Sequence, residues 1–284
     1  MRRVLAVALA CLALAGCGGS ATGGGANVRA TAVPAAPPAP DSATIALWHM
    51  DENGGTHVAD AGPFRLDALA GLDTRTDFGR FHSARVFRLA TDSFLYATFN
   101  PVMNVTGPFT VEAWINTDDV QVDFQTIAAR WTPTPNEQSW VLGVTGSRTP
   151  TGWLATVLGD VSAQRLLFGY MPAGAGGERG YASNNPLPVG RWVHVAASVD
   201  GEIVRMYVDG RLDAQYVNTR TVRSSPAPLT IGNALETRHL TDFGGDLRVD
   251  MNASITQAYP FVGSIDELRL SSGARKHFEG IPGR

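Results

Sequence analysis

The 284-residue sequence predicts an all-β domain closed as two packed antiparallel sheets, on three observations. Apolar residues recur with a period of two: Phe109, Val111, Ala113 and Ile115 fall on one face of an extended segment, and Thr110, Glu112, Trp114 and Asn116 on the other. Turn signals separate such segments at nearly every step, the sharpest being Asp200-Gly201 and Asp209-Gly210, because Asp-Gly supplies the positive φ angles that tight hairpins demand. No amphipathic helix of convincing length breaks the pattern, so the sheets must bury their apolar faces against each other.

In chain order, Arg2 and Arg3 precede an apolar run from Val4 to Leu14, too short for the ~20 residues that span a bilayer core. Small residues follow in Leu14-Ala15-Gly16-Cys17, so residues 1–16 read as a secretion signal. The tetrad resembles a bacterial lipoprotein lipobox. That resemblance implies acylation of Cys17, attachment to a membrane through the lipid, and a place in the bacterial cell envelope. Gly18, standing where an aspartate would retain the protein, implies the outer membrane in an organism that has two. Cys11, the other of the 2 cysteines, lies in the signal, so no disulfide staples the mature chain. Residues 17–42, rich in Gly, Ala and Pro, read as a flexible tether. The domain proper is expected over 43–278, with a C-terminal tail over 279–284.

Within the domain, strands are predicted over Phe109 to Asn116, Ser139 to Thr145, Gly152 to Leu158, Arg165 to Tyr170, Arg191 to Val199, Ile203 to Val208 and Ile265 to Leu270. The two Asp-Gly turns predict a three-stranded meander from Trp192 through Tyr207 to Tyr216. Net charge is −3, from 23 basic and 26 acidic residues, with no Lys/Arg block or basic face. These features exclude nucleic acid as a partner.

Ala46-Leu47-Trp48-His49-Met50-Asp51-Glu52-Asn53-Gly54-Gly55-Thr56 with Val58-Ala59-Asp60, and then Phe109-Thr110-Val111-Glu112-Ala113-Trp114-Ile115, resemble the opening blocks of laminin G-like domains. Gly190 to Gly201, Arg205 to Gly210, Leu229 to Asn233 and Phe261 to Leu270 continue the series in the family's order. The resemblance spans Thr44 to about Phe278 and implies the concanavalin A-like jelly roll. In that fold an N-terminal strand, here Ile45 to His49, lies beside a C-terminal one, here Ile265 to Leu270. Two features depart from the pattern. Asp60-Ala61-Gly62-Pro63-Phe64 lacks the polar residue usual after the glycine, and Thr237 to Tyr259 is an unusual insertion.

Laminarinase-type hydrolases on this fold need a pair of carboxylates on one strand. No Glu-x-Asp occurs, and the only Asp-x-Glu, Asp200-Gly201-Glu202, is a hairpin turn. Glu112, alone on its strand, reads as a solvated or hydrogen-bonded structural acid. The 6 histidines show no metal-ligand spacing, and His194 reads as a packed family position. The domain is therefore read as non-catalytic, with no catalytic residue assigned. A structural calcium is expected at Asp60 and Asp266, which the terminal strand pair would bring together, with Asp51 as a third oxygen donor; against this stands simple capping of turns by aspartate. For a ligand, Trp131, before the Pro-rich stretch 132–136, is the preferred exposed aromatic, with Tyr170 and Tyr181 beside it; Trp114, Trp140 and Trp192 read as core. A polysaccharide and an envelope or extracellular protein both remain open as partners. The alternative functions are an adhesion module without glycan binding and a glycan-active hydrolase or lyase.

Overall fold

A computed structural model describes residues 35–282, apart from 91, 119–121, 133, 135, 149–163, 175, 219, 235–239, 244–245 and 250–258. The residues read as a signal peptide, Cys17, most of the expected tether, the strand predicted at 152–158 and much of the segment read as an insertion at 237–259 therefore lie outside the described residues. Among the described residues there are eighteen strands. The first nine are β1 (Thr44–Trp48), β2 (His57–Val58), β3 (Ala68–Ala70), β4 (Arg75–Phe78), β5 (Ser83–Phe87), β6 (Leu95–Ala97), β7 (Phe109–Thr117), β8 (Phe124–Trp131) and β9 (Gln138–Thr145). The rest are β10 (Arg165–Tyr170), β11 (Arg179–Pro186), β12 (Val193–Val199), β13 (Ile203–Val208), β14 (Arg211–Val217), β15 (Leu229–Ile231), β16 (Leu240–Phe243), β17 (Asp246–Val249) and β18 (Gly263–Ser272).

They form two eight-stranded antiparallel sheets. The first runs β14-β13-β12-β7-β18-β5-β4, with β1 also on β18; the second runs β11-β10-β9-β8-β15-β6-β3-β2; β16 and β17 make a separate hairpin. The predicted terminal pair is present, with Ala46 opposite Leu270 and Trp48 opposite Leu268. The meander is present too. Val208 and Arg211 close a two-residue turn in which Asp209 and Gly210 have φ of 46° and 67°, the double positive φ that Asp-Gly tolerates.

The alternation in β7 sends Phe109, Val111, Ala113 and Ile115 into the core between the sheets. There they meet Trp140, Leu142, Phe168, Val193, Val195, Leu268 and Leu270. The outer face of β7 is also buried. Ala35, Phe81, Phe278 and Ile281 pack with Trp114, Ala196 and Tyr207 into a second apolar layer. Both ends of the described stretch thus lie on the outer face of the first sheet. Ala39 N–H donates to Glu279, Arg269 donates to the Ala39 carbonyl, and Arg275 clasps both oxygens of Asp41 at 2.6 and 2.7 Å. The packed body therefore starts by residue 35, inside the expected tether, and runs to Ile281, inside the expected tail.

Candidate functional site

In β18 one extra residue is accommodated between Asp266, opposite Trp114, and Arg269, opposite Glu112. Glu267 absorbs it with φ 52°. The bulge turns Ile265 and Leu268 inward and aligns Asp266 and Arg269 with the outer face of β7. Arg269 Nε donates to Glu112 Oε1, while Glu112 Oε2 stands 3.3 Å from His194 Nε2 without the alignment of a hydrogen bond. Burial works against the Glu112 carboxylate, but the contacts with His194 and Arg269 outweigh it and hold its pKa below the usual range. Phe278 roofs His194 at 5.0 Å between ring centroids. Glu112 is 3% exposed and is a hydrogen-bonded structural acid.

Beside this row, Asp266 Oδ2 accepts from Phe81 N–H at 3.0 Å, and Glu267 Oε2 sits 2.6 Å from His49 Nδ1. Asp266 Oδ1 and Glu267 Oε1 are buried without a partner. Burial, then the charges of Glu267 and Asp51, raise the Asp266 carboxyl to about 8 against the amides that favour its ionised form.

The expected calcium donors separate on this geometry. Asp60 does not fit a cation. Its Oδ1 accepts from Leu47 and Gly62 N–H at 2.8 and 2.7 Å, and its Oδ2 from Leu66 N–H at 2.8 Å, so it is a buried loop cap. Gly62 is required there, since a Cβ would stand 2.9 Å from Asp60 Oδ1 and 3.0 Å from the Ile45 carbonyl. Asp51, whose Oδ1 accepts from Ser83 N–H, does lie near enough to Asp266 to act on it. The orphaned oxygens of Asp266 and Glu267 fit a hard cation's need for oxygen. Among the described residues, however, no three or more His, Cys, Asp or Glu side chains gather around one point.

The expected ligand aromatics are placed differently from the prediction. Trp131 is only 7% exposed and packs with Phe124, Ala129, Val141 and Leu167. The stretch after it folds back as a hairpin, with Thr132 N–H on the Glu137 carbonyl at 3.0 Å and Trp131 opposite Gln138. This hairpin turns the strand end away from an open loop. Tyr170 is 1% exposed and donates its hydroxyl to Asn218 Oδ1 at 2.5 Å. Its ring stacks between Phe168 and Tyr181 at 6.0 and 6.3 Å, and half-buried Tyr181 stacks on Tyr216 at 4.8 Å. This ladder closes the sandwich where β11 meets β14. Of the tryptophans read as core, Trp140 lies between the sheets, Trp114 packs in the outer layer with Phe81 and Phe278, and Trp192 is half-buried at a rim.

Trp192 borders an open groove of about 800 Å³ on the outer side of the first sheet. Its lining includes Arg80, Trp114, Asn185, Arg191, Asp209, Arg211 and the tail residues Ile281 and Pro282. The Arg80 guanidinium lies 4.6 Å over the Trp114 ring. Sequence reasoning did not reach this groove, because its walls come from β7, β11, the β13–β14 hairpin, the segments at Arg80 and at Arg191-Trp192, and the tail, all far apart in sequence. The local signals were Arg191-Trp192, which read as the start of a strand with Trp192 in the core, and Asp209-Gly210, which read as turn chemistry.

Two antiparallel sheets closed by a terminal strand pair define a jelly-roll sandwich of the lectin type. Residues 91–279 match Laminin_G_3, described as the concanavalin A-like lectin/glucanases superfamily, and the chain belongs to that family. No curated protein matches it in sequence. Among solved structures it is similar to the binding domain of Paraclostridial Mosquitocidal Protein 1, with a TM-score of 0.55 and 10% identity over 82% of this chain and 49% of that one. The chain thus spans about half the length of that structure. Domain 4 of AbnA, a GH43 extracellular arabinanase from Geobacillus stearothermophilus, solved with arabinotriose, is similar at a TM-score of 0.51 and 20% identity, over 82% of this chain and 93% of that one. The botulinum neurotoxin serotype G binding domain is similar at 0.54 and 12%, over 82% and 48%. At these identities the likeness is one of fold.

Proposed function

We propose that this chain is a bacterial envelope lipoprotein, anchored through acyl groups on Cys17, that displays a non-catalytic carbohydrate-binding module. The observation that carries the reading is the contrast between the two features of the outer face. The acid on the family's β7 strand is sealed under Phe278, whereas the groove beside it is open and offers an indole at Trp192 and an amide at Asn185. Indole faces stack on the C–H faces of sugars, and amides fix hydroxyl groups. The arabinotriose bound to the arabinanase domain and the binding-domain character of the toxin neighbours support the same reading. A calcium held at Asp266 and Glu267, with Asp51 near, would have a structural role in tying β18 to the loop at Phe81. The test is a glycan array probed with the full chain, with and without chelator, alongside fatty-acid labelling. Retention on one polysaccharide class, lost in Trp192→Ala, together with label on Cys17, is the expected result. Binding to an envelope protein that no sugar competes would favour the adhesion alternative, and sugar release from an array glycan would favour the enzyme.

A further inference from the structure

The groove's charges are unevenly satisfied. Arg191 shares Asp209 at 3.4 Å. Asp213 is committed to the Asn184 and Asn185 N–H groups and the Asn185 amide. The side chains of Arg80 and Arg211 make no ion pair or hydrogen bond with any described residue; Arg80 only stacks, over Trp114 and over Phe81 at 5.0 Å. The groove therefore sets three guanidinium groups against two carboxylates, a local excess of one positive charge on a chain whose net charge is −3, and neither Arg80 nor Arg211 is tied to an acid. The indole Nε1 of Trp114, which lines the same groove, is a buried donor without an acceptor. A guanidinium matches the planar fork of a carboxylate better than any other anion-binding side chain does. Asp266 holds the loop at Phe81 in place through the Phe81 amide, so Arg80, the preceding residue, stands on an ordered loop.

We infer that the groove takes a carboxylated saccharide of the uronic-acid type. The sugar ring lies on Trp192, its hydroxyls meet Asn185, and its carboxylate is drawn between Arg80 and Arg211. This inference rests on the carbohydrate reading above and narrows it to acidic sugars. The test is calorimetric titration of the full chain with an oligogalacturonate, with its methyl ester and with a neutral galacto-oligosaccharide of the same length. The acid is expected to bind about tenfold or more tightly than its ester, the scale of one charge-assisted contact, and to weaken as salt rises. Arg211→Gln and Arg80→Gln should each remove that preference without moving the melting temperature, while Trp192→Ala should weaken all the ligands that bind. Equal affinity for acid and ester, or an unchanged preference in Arg211→Gln, would overturn the inference. Binding of the neutral sugar alone would sink the inference and leave the carbohydrate reading standing, and binding of none of the three would count against both.

Discussion

Asp266 lies fully buried with one oxygen unpartnered. Its carboxyl titrates near 8 in the fold, against about 3.9 in an unfolded chain. Between about pH 4 and pH 8 the folded protein therefore keeps a proton that the unfolded protein has lost, and stability falls as pH rises across that window. Glu267 acts in the same sense, because burial raises its pKa more than His49 lowers it. His49, raised chiefly by its contact with Glu267, also contributes stability that is present at low pH and lost as pH rises. Glu112 and Asp41, whose pKa values are lowered in the fold, oppose this only as pH falls through the usual carboxylate range. In chelator, thermal melts should show a melting temperature that drops from pH 5 to pH 8, and Asp266→Asn should flatten the drop. A cation bridging the orphaned oxygens would replace the proton, so added calcium should restore stability at pH 8 and do little at pH 5. A wild-type melting temperature that climbs from pH 5 to pH 8 in chelator would contradict the burial of Asp266, and no response to calcium at pH 8 would remove the metal.

At the scale of the strand, Gly143 shows how tightly the second sheet is packed. A Cβ there would stand 2.2 Å from the Phe124 ring and 2.3 Å from the Gln125 carbonyl on the neighbouring strand, and backbone cannot swing aside. Gly143→Ala should lower the urea midpoint by the equivalent of about 2–3 kcal/mol, whereas Gly107→Ala, with open space around it, should change nothing measurable. An unaffected midpoint in Gly143→Ala would mean that β8 and β9 are not in the register described. Such packing is invisible in sequence, where Gly143 reads only as a small residue. What was legible follows from local physics: the alternation in β7, the two Asp-Gly turns of the meander and the β1–β18 pairing each depend on residues close in sequence or on an ordered series of blocks. β8 escaped because it is buried along its whole length and so does not alternate, and polar β11 escaped because an edge strand need not be apolar. Trp131 looked exposed beside prolines because residues that cover it, such as Leu167 and Ala234, stand far away in sequence.

At the scale of the whole domain, the segments before β1 and after β18 complete the packing. The stretch around Ala35 to Asp41 has the composition of a tether and the tail after Arg275 that of a loose end, yet together they roof the outer face of the first sheet. Phe278 lies against Tyr207 at 4.9 Å and His194 at 5.0 Å, Ile281 joins the same apolar layer, and Glu279 ties Ala39 to Arg269. A chain ending after Lys276 keeps the core between the sheets and the Arg275–Asp41 pair, but uncovers Trp114, Ala196 and Tyr207. It also lets water reach the Glu112–Arg269 pair and removes the groove wall formed by Ile281 and Pro282. The truncated protein should retain a β-type circular dichroism spectrum, melt at a lower temperature and bind a hydrophobic dye that the full chain does not. Phe278→Ala, which leaves the backbone in place, should cost up to about 3 kcal/mol as a large buried ring is lost and should bind less dye than the truncation. If the shortened chain melts where the full chain does and stays dye-free, the outer face is not roofed by its tail, and the acid row beneath it lies open to solvent and to any ligand the groove holds.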